Sequence, residues 1–157
     1  MDASSVTQTH MLSGLHVLVV DSNDDVLSDL DLMLQGAGLR VTAVKDPEAA
    51  LTLPTVPPRV IVTERSLQGR LDGEAFIAEA RQRWSGIGAV LLSGIFGEAD
   101  PASQCNAFIA MPLHTTQLLA AIQRAVECTA AMGAAARETR AAHERKRRPG
   151  RASAAVR

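Results

Sequence analysis

At 157 residues, 46% of them hydrophobic, the chain is long enough for one domain with a buried core plus terminal extensions. No apolar stretch approaches the roughly 18 residues of a membrane helix. Met1–Ser13 lacks the basic flank and apolar centre of a secretory signal, so the expected location is cytoplasmic. A formal net charge of −1 hides an asymmetry: Met1–Ala135 carries eight Lys+Arg against fifteen Asp+Glu, whereas Ala136–Arg157 carries eight against two. An acidic body precedes a basic tail. Cys105 and Cys128 have neither metal-ligand spacing nor a histidine cluster, which suits indifferent thiols in a reducing compartment.

Residues 1–14 show no pattern and are expected to be a flexible N-terminus. The first strand is His16–Val20, an uninterrupted apolar run that closes on Asp21. Ser22-Asn23-Asp24 suits a helix cap. Val26, Leu30, Met33 and Leu34 then recur with the spacing of one buried helical face. Gly36-Ala37-Gly38 stops that helix, and Arg40–Val44 reads as a second strand. Asp46-Pro47-Glu48 opens a short helix, acid at its cap and proline in its first turn, that ends before Pro54, Pro57 and Pro58.

The third strand is Val60-Ile61-Val62, closing on Thr63-Glu64, and a loop follows over Ser66–Leu71. Asp72-Gly73 opens a helix whose apolar face carries Phe76, Ala80 and Trp84, closed by Ser85-Gly86. Ala89–Leu92 is the fourth strand, ending on Ser93-Gly94. From Gly94 to Asn106 there is room for one or two helical turns at most. Phe108-Ile109-Ala110 is a fifth strand running into Met111-Pro112. Thr115-Thr116 caps a last helix that buries Leu118, Ile122 and Val126 and is helix-competent to about Arg148, before Pro149-Gly150.

Short apolar runs alternating with helical segments predict a doubly wound α/β fold with a five-stranded parallel sheet and a shortened helix between strands four and five. Function in such sheets sits beyond the carboxyl ends of the strands. Asp21, Glu64, Ser93 and Met111 are therefore expected at one site. Residues 15–128 make the domain, and residues 129–157 an extended last helix with a basic, disordered tail.

Several motifs in order over Leu15–Glu127 resemble the receiver domain of bacterial two-component response regulators. Val17–Asp21 with Leu34–Gly38 is similar to the family's first strand and helix, and Thr63–Leu67 with Leu71-Asp72-Gly73 to its third strand and loop. Leu92-Ser93-Gly94 resembles the fourth strand with its switch hydroxyl. Phe108–Leu113 looks like the fifth, with its switch aromatic and its proline, Pro112, preceded by a cis bond. The resemblance implies a flavodoxin-like strand order, 2-1-3-4-5.

It also implies a site where an aspartate accepts a phosphoryl group from a histidine kinase, two acids hold Mg²⁺, and a lysine and a hydroxyl contact the phosphoryl oxygens. Charge spread over a phosphoryl group in flight demands a cation and a lysine. This chain departs at three positions: Glu64 stands at the acceptor position, Ser22 at the second acidic position and Met111 at the lysine position. Asp21, Ser93 and Phe108 match. Single electrostatic donors are commonly worth about 3–4 kcal/mol in such transition states.

The expectation is a non-enzymatic, stand-alone pseudo-receiver that signals through protein contact, with no required cofactor; Asp21 and Glu64 are the metal ligands if there are any. Glu64 either imitates a phosphorylated acceptor or is a remnant acid. Phe108 is either switch or core. A signalling protein such as a histidine kinase is the expected partner, with a homodimer as another. The cluster Arg145, Lys146, Arg147 and Arg148 either binds nucleic-acid phosphates or is a solvated terminus. The rival readings are an ordinary phospho-accepting regulator and a nucleic-acid-associated regulator.

Overall fold

A computed structural model of the chain describes residues 3–53, 56–94 and 106–147. Five parallel strands, β1 (His16–Val20), β2 (Arg40–Val44), β3 (Val60–Glu64), β4 (Gly88–Ser93) and β5 (Ala107–Ala110), form one sheet in the order β2-β1-β3-β4-β5. The helices are α1 (Ala3–Leu12), α2 (Asp24–Gly36), α3 (Pro47–Thr52), α4 (Gly73–Arg83) and α5 (Thr115–Arg147). The expected shortened helix between β4 and β5 falls on residues outside those described.

The central strands are apolar throughout because both of their faces are covered. Side chains alternate across a strand. Val17, Val19, Val60, Val62, Val90 and Leu92 therefore pack with Leu30, Leu34, Leu118 and Ile122 of α2 and α5. Leu18, Val20 and Ile61 face the other way, onto Ala50 of α3, Phe76 and Ala80 of α4, and Trp84 just after it. Phe108 is partly buried against Ile77, Ala89 and Leu91, so it packs as part of the core on the α4 side.

The caps follow the sequence. Asn23 Oδ1 accepts from the N–H groups of Asp25 at 2.9 Å and Val26 at 3.3 Å, and Asp46 Oδ1 accepts from Glu48 N–H at 3.0 Å. Asp72 Oδ1 accepts from Ala75 N–H at 2.8 Å. Each satisfies a backbone donor that the first helical turn leaves open.

One terminal feature differs from the sequence reading. Where a flexible N-terminus was expected, Ala3–Leu12 is helical and packs against α5, and Leu12 is buried in the α2–α5 core. One deeply seated leucine is too little to produce a periodic signal. At the other end, α5 runs unbroken through Gly133 to Arg147, carrying Arg145, Lys146 and Arg147 as its last helical turn. Arg148 lies outside the described residues, as does Cys105.

Arg59 ties α5 to the base of the sheet. Its Nη1 donates to Gly86 O at 2.8 Å and to Thr129 Oγ1 at 3.1 Å, and its Nη2 donates to Val126 O at 3.4 Å. One guanidinium thereby fixes the turn after α4 and the middle of α5, a use of the rigid donor fork that lysine cannot copy. Arg59→Ala is expected to cost about 1.5–3 kcal/mol, the usual loss for hydrogen bonds to a charged group. Chemical denaturation measures it, and Arg59→Lys should recover little.

Candidate functional site

The register of the sheet sets the site. Val20 of β1 lies opposite Thr63 of β3, so the next residues, Asp21 and Glu64, emerge side by side at the carboxyl edge. On the other half, Ser93 pairs with Ala110, and Met111 N–H donates to Ser93 O at 2.9 Å. All four residues from the strand ends thus share one edge, in two adjacent pairs. The Met111-Pro112 bond is cis.

Asp21 is buried, only 2% exposed. Its Oδ1 accepts from Asn23 N–H at 2.8 Å, and its carboxyl group neighbours that of Glu64. Burial pushes the Asp21 carboxyl up, opposed chiefly by the Asn23 N–H. Glu64 is pushed up first by burial and then by the Asp21 charge. Two carboxyl groups set side by side away from water each make the other costlier to ionise.

Ser22 is occupied elsewhere: its Oγ accepts from Gln68 N–H at 3.1 Å, pinning the loop after β3. This donor set does not fit Mg²⁺. The ion needs hard, ionised oxygen ligands in octahedral array. The pocket offers two carboxyl groups that burial makes costly to ionise and a hydroxyl already accepting from a backbone N–H. No group of three or more Asp, Glu, His or Cys side chains among the described residues is arranged to hold a metal.

Gly73 was legible in the sequence only as the start of a helix. It is also the point where α4 meets β3. Its N–H donates to Arg65 O at 2.9 Å. A Cβ there would overlap the Glu64 carbonyl oxygen and stand 3.0 Å from Arg65 Cα. Only glycine lets α4 start this close to the site. Asn106 likewise escaped the sequence reading: its Oδ1 accepts from Ala89 N–H at 2.9 Å and from Arg81 Nη2 at 2.9 Å, joining β4 to α4. A lone loop asparagine gives no signal of such a role.

No protein-family model and no curated protein matches the chain. Solved structures do. A signal receiver domain of an HD domain-containing protein from Pseudomonas fluorescens Pf-5 superimposes with a TM-score of 0.66 at 21% identity, over 75% of this chain and 98% of that one. A response regulator receiver protein from Sinorhizobium medicae WSM419 gives 0.64 at 22% identity, over 75% and 98%. The fold is that of response-regulator receiver domains. NtrX from Brucella abortus, solved with ATP, gives 0.68 at 26% identity over 77% of this chain, which spans 29% of NtrX.

Two outcomes follow from the receiver-fold site. Both carboxyl groups hold protons more tightly folded than unfolded, so the folded chain binds more protons above the ordinary carboxylate range near pH 4. The pair's contribution to stability therefore falls as pH rises through that window. Glu64→Gln, which removes the carboxyl group beside Asp21, should raise the melting temperature at neutral pH, and the gain should shrink towards pH 4. Gly73→Ala should cost about 3 kcal/mol through overpacking, and amide shifts at Glu64 and Arg65 in NMR spectra would locate the strain.

Proposed function

We propose that this chain is a phosphorylation-independent, receiver-like signalling module of a two-component system, acting through contact with another signalling protein, with a histidine kinase as one candidate. The carrying observation is what the sheet brings to its carboxyl edge: Glu64 beside buried Asp21, with Met111 next to Ser93 where a lysine would stand. The pocket holds two neighbouring carboxyl groups that burial makes costly to ionise and no lysine to receive a phosphoryl group.

Three chemical points support the reading. Glu64 is one methylene longer than an aspartate, which shifts its carboxyl group from where an acceptor aspartate's would lie. Met111, at the lysine position, brings an apolar side chain that donates no hydrogen bond. Ser22 replaces a charged metal ligand with a hydroxyl already accepting from Gln68. Developing phosphoryl charge is left without cationic partners, and two missing electrostatic donors at about 3–4 kcal/mol each correspond to several orders of magnitude in rate.

The missing lysine favours the remnant reading of Glu64 over the mimic. An imitation of a phosphorylated acceptor needs a cationic partner to anchor its charge, and Met111 supplies none.

The test is incubation with acetyl phosphate and Mg²⁺, followed by intact mass. The expected outcome is no stable phosphorylated species, with wild type and Glu64→Ala indistinguishable. Beryllofluoride with Mg²⁺ should leave the amide signals of Asp21, Glu64 and Ser93 unmoved. Stoichiometric phosphorylation that disappears in Glu64→Ala would overturn the proposal in favour of an ordinary phospho-accepting regulator.

A further inference from the structure

The distal half of α5 stands clear of the body. Arg59 clamps the helix at Thr129, and every residue from Ala134 to Arg147 is exposed. At 1.5 Å of rise per residue, Arg137 lies about 12 Å and Arg147 about 27 Å beyond that clamp. The sheet and its covering helices hold the rod at one end and bury none of it from Ala134 onwards.

What the rod carries is positive charge. Arg137, Arg140, Arg145, Lys146 and Arg147 stand against two acids, Glu138 and Glu144. Arg148, Arg151 and Arg157 follow in the sequence with no further acid. Arg140 pairs with Glu144 at 3.5 Å, both side chains largely exposed; a pair of that kind is worth little and opens readily to a stronger anion. Arg137, Arg145, Lys146 and Arg147 have no ion pair among the described residues. At 3.6 residues per turn, Arg137, Arg140 and Arg147 share one face while Arg145 and Lys146 lie on others, so cations surround the tip.

Charges of one sign gathered this tightly repel one another in the free molecule and are matched by a polyanion. The acidic body does not oppose that match. Physiological salt screens exposed charges over about 8 Å, and the tip lies well beyond that distance from the clamp.

Residue type narrows the polyanion. Ala134, Ala135, Ala136, Ala141 and Ala142 keep the helix slim, and the major groove of duplex DNA, about 12 Å wide, admits such a rod. The deep, narrow major groove of duplex RNA does not. A membrane face is a poor match: from Gly133 to Arg147 the only apolar side chains are alanines, leaving nothing bulky to insert among lipids. That stretch has no Asn, Gln or aromatic residue to read or stack on bases, so its contacts are with phosphates.

We propose that the distal half of α5 is a duplex-DNA-binding element that lies in the major groove and contacts backbone phosphates without regard to base sequence. It is separate from the carboxyl-edge pocket, and the signalling role does not depend on it. Its affinity comes from counterion release, and five phosphate contacts give a slope of about −4.5 in log K against log salt concentration.

Fluorescence anisotropy with the full chain and short labelled duplexes tests this. Wild type should bind two duplexes of unrelated sequence equally, and about a hundredfold or more weakly when the salt is raised roughly fourfold. Arg140→Glu/Arg145→Glu/Arg147→Glu should bind about tenfold or more weakly and flatten the salt slope. All three positions are exposed, and unchanged circular-dichroism melts would confirm that the fold is kept. Ala141→Pro keeps every charge but interrupts the rod, and should also weaken binding. A wild-type chain that fails to bind at low salt overturns the proposal, as does binding indifferent to the charge reversals. Equal binding by Ala141→Pro would assign the effect to charge alone and overturn the groove-bound helix. Tighter binding to phosphatidylserine vesicles or to duplex RNA than to DNA would overturn the choice of partner.

Discussion

The register of β1 against β3 is the constraint on which the site depends. Val20 opposite Thr63 places the residues after them together, whatever those residues are. The register is itself held by packing. β1 and β3 are buried on both faces, so a slip of one residue would exchange Val17 and Val19 with Leu18 and Val20 between two differently shaped cores. A site at the carboxyl edge therefore inherits the rigidity of the sheet.

Within that rigid frame Asp21 and Glu64 are brought side by side. Burial pushes both carboxyl groups up, and the Asp21 charge pushes Glu64 up further, the general behaviour of like charges set together away from water. Asp21 and Ser22 accept from the backbone N–H groups of Asn23 and Gln68 and hold the loops after β1 and β3.

What this chain adds to the receiver fold lies at the ends. The two matched receiver structures superimpose over nearly their whole length but leave about a quarter of this chain uncovered. α1 and the distal half of α5 stand outside the sheet and its covering helices. They are not independent of it: Leu12 anchors α1 in the α2–α5 core, and Arg59 clamps α5 near Thr129. A helix so clamped projects its basic tip in a fixed direction. That makes charge position, as well as charge content, a property of this protein.

The sequence by itself determined the sheet, its five strands and most helix starts. Buried parallel strands require unbroken apolar runs, and caps require Asn23, Asp46 and Asp72, so both leave local marks. The strand ends at Asp21, Glu64, Ser93 and Met111 were legible for the same reason. Only the tertiary structure decided that Glu64 and Asp21 are direct neighbours, because a carboxyl pair joins strand ends 43 residues apart in the chain. Gly73 against the Glu64 carbonyl, Arg59 across the turn at Gly86 to α5, and Leu12 of α1 in the core were hidden likewise. Each depends on a single side chain meeting a distant backbone or core. Periodicity records faces of helices and strands; it carries no trace of a contact made once.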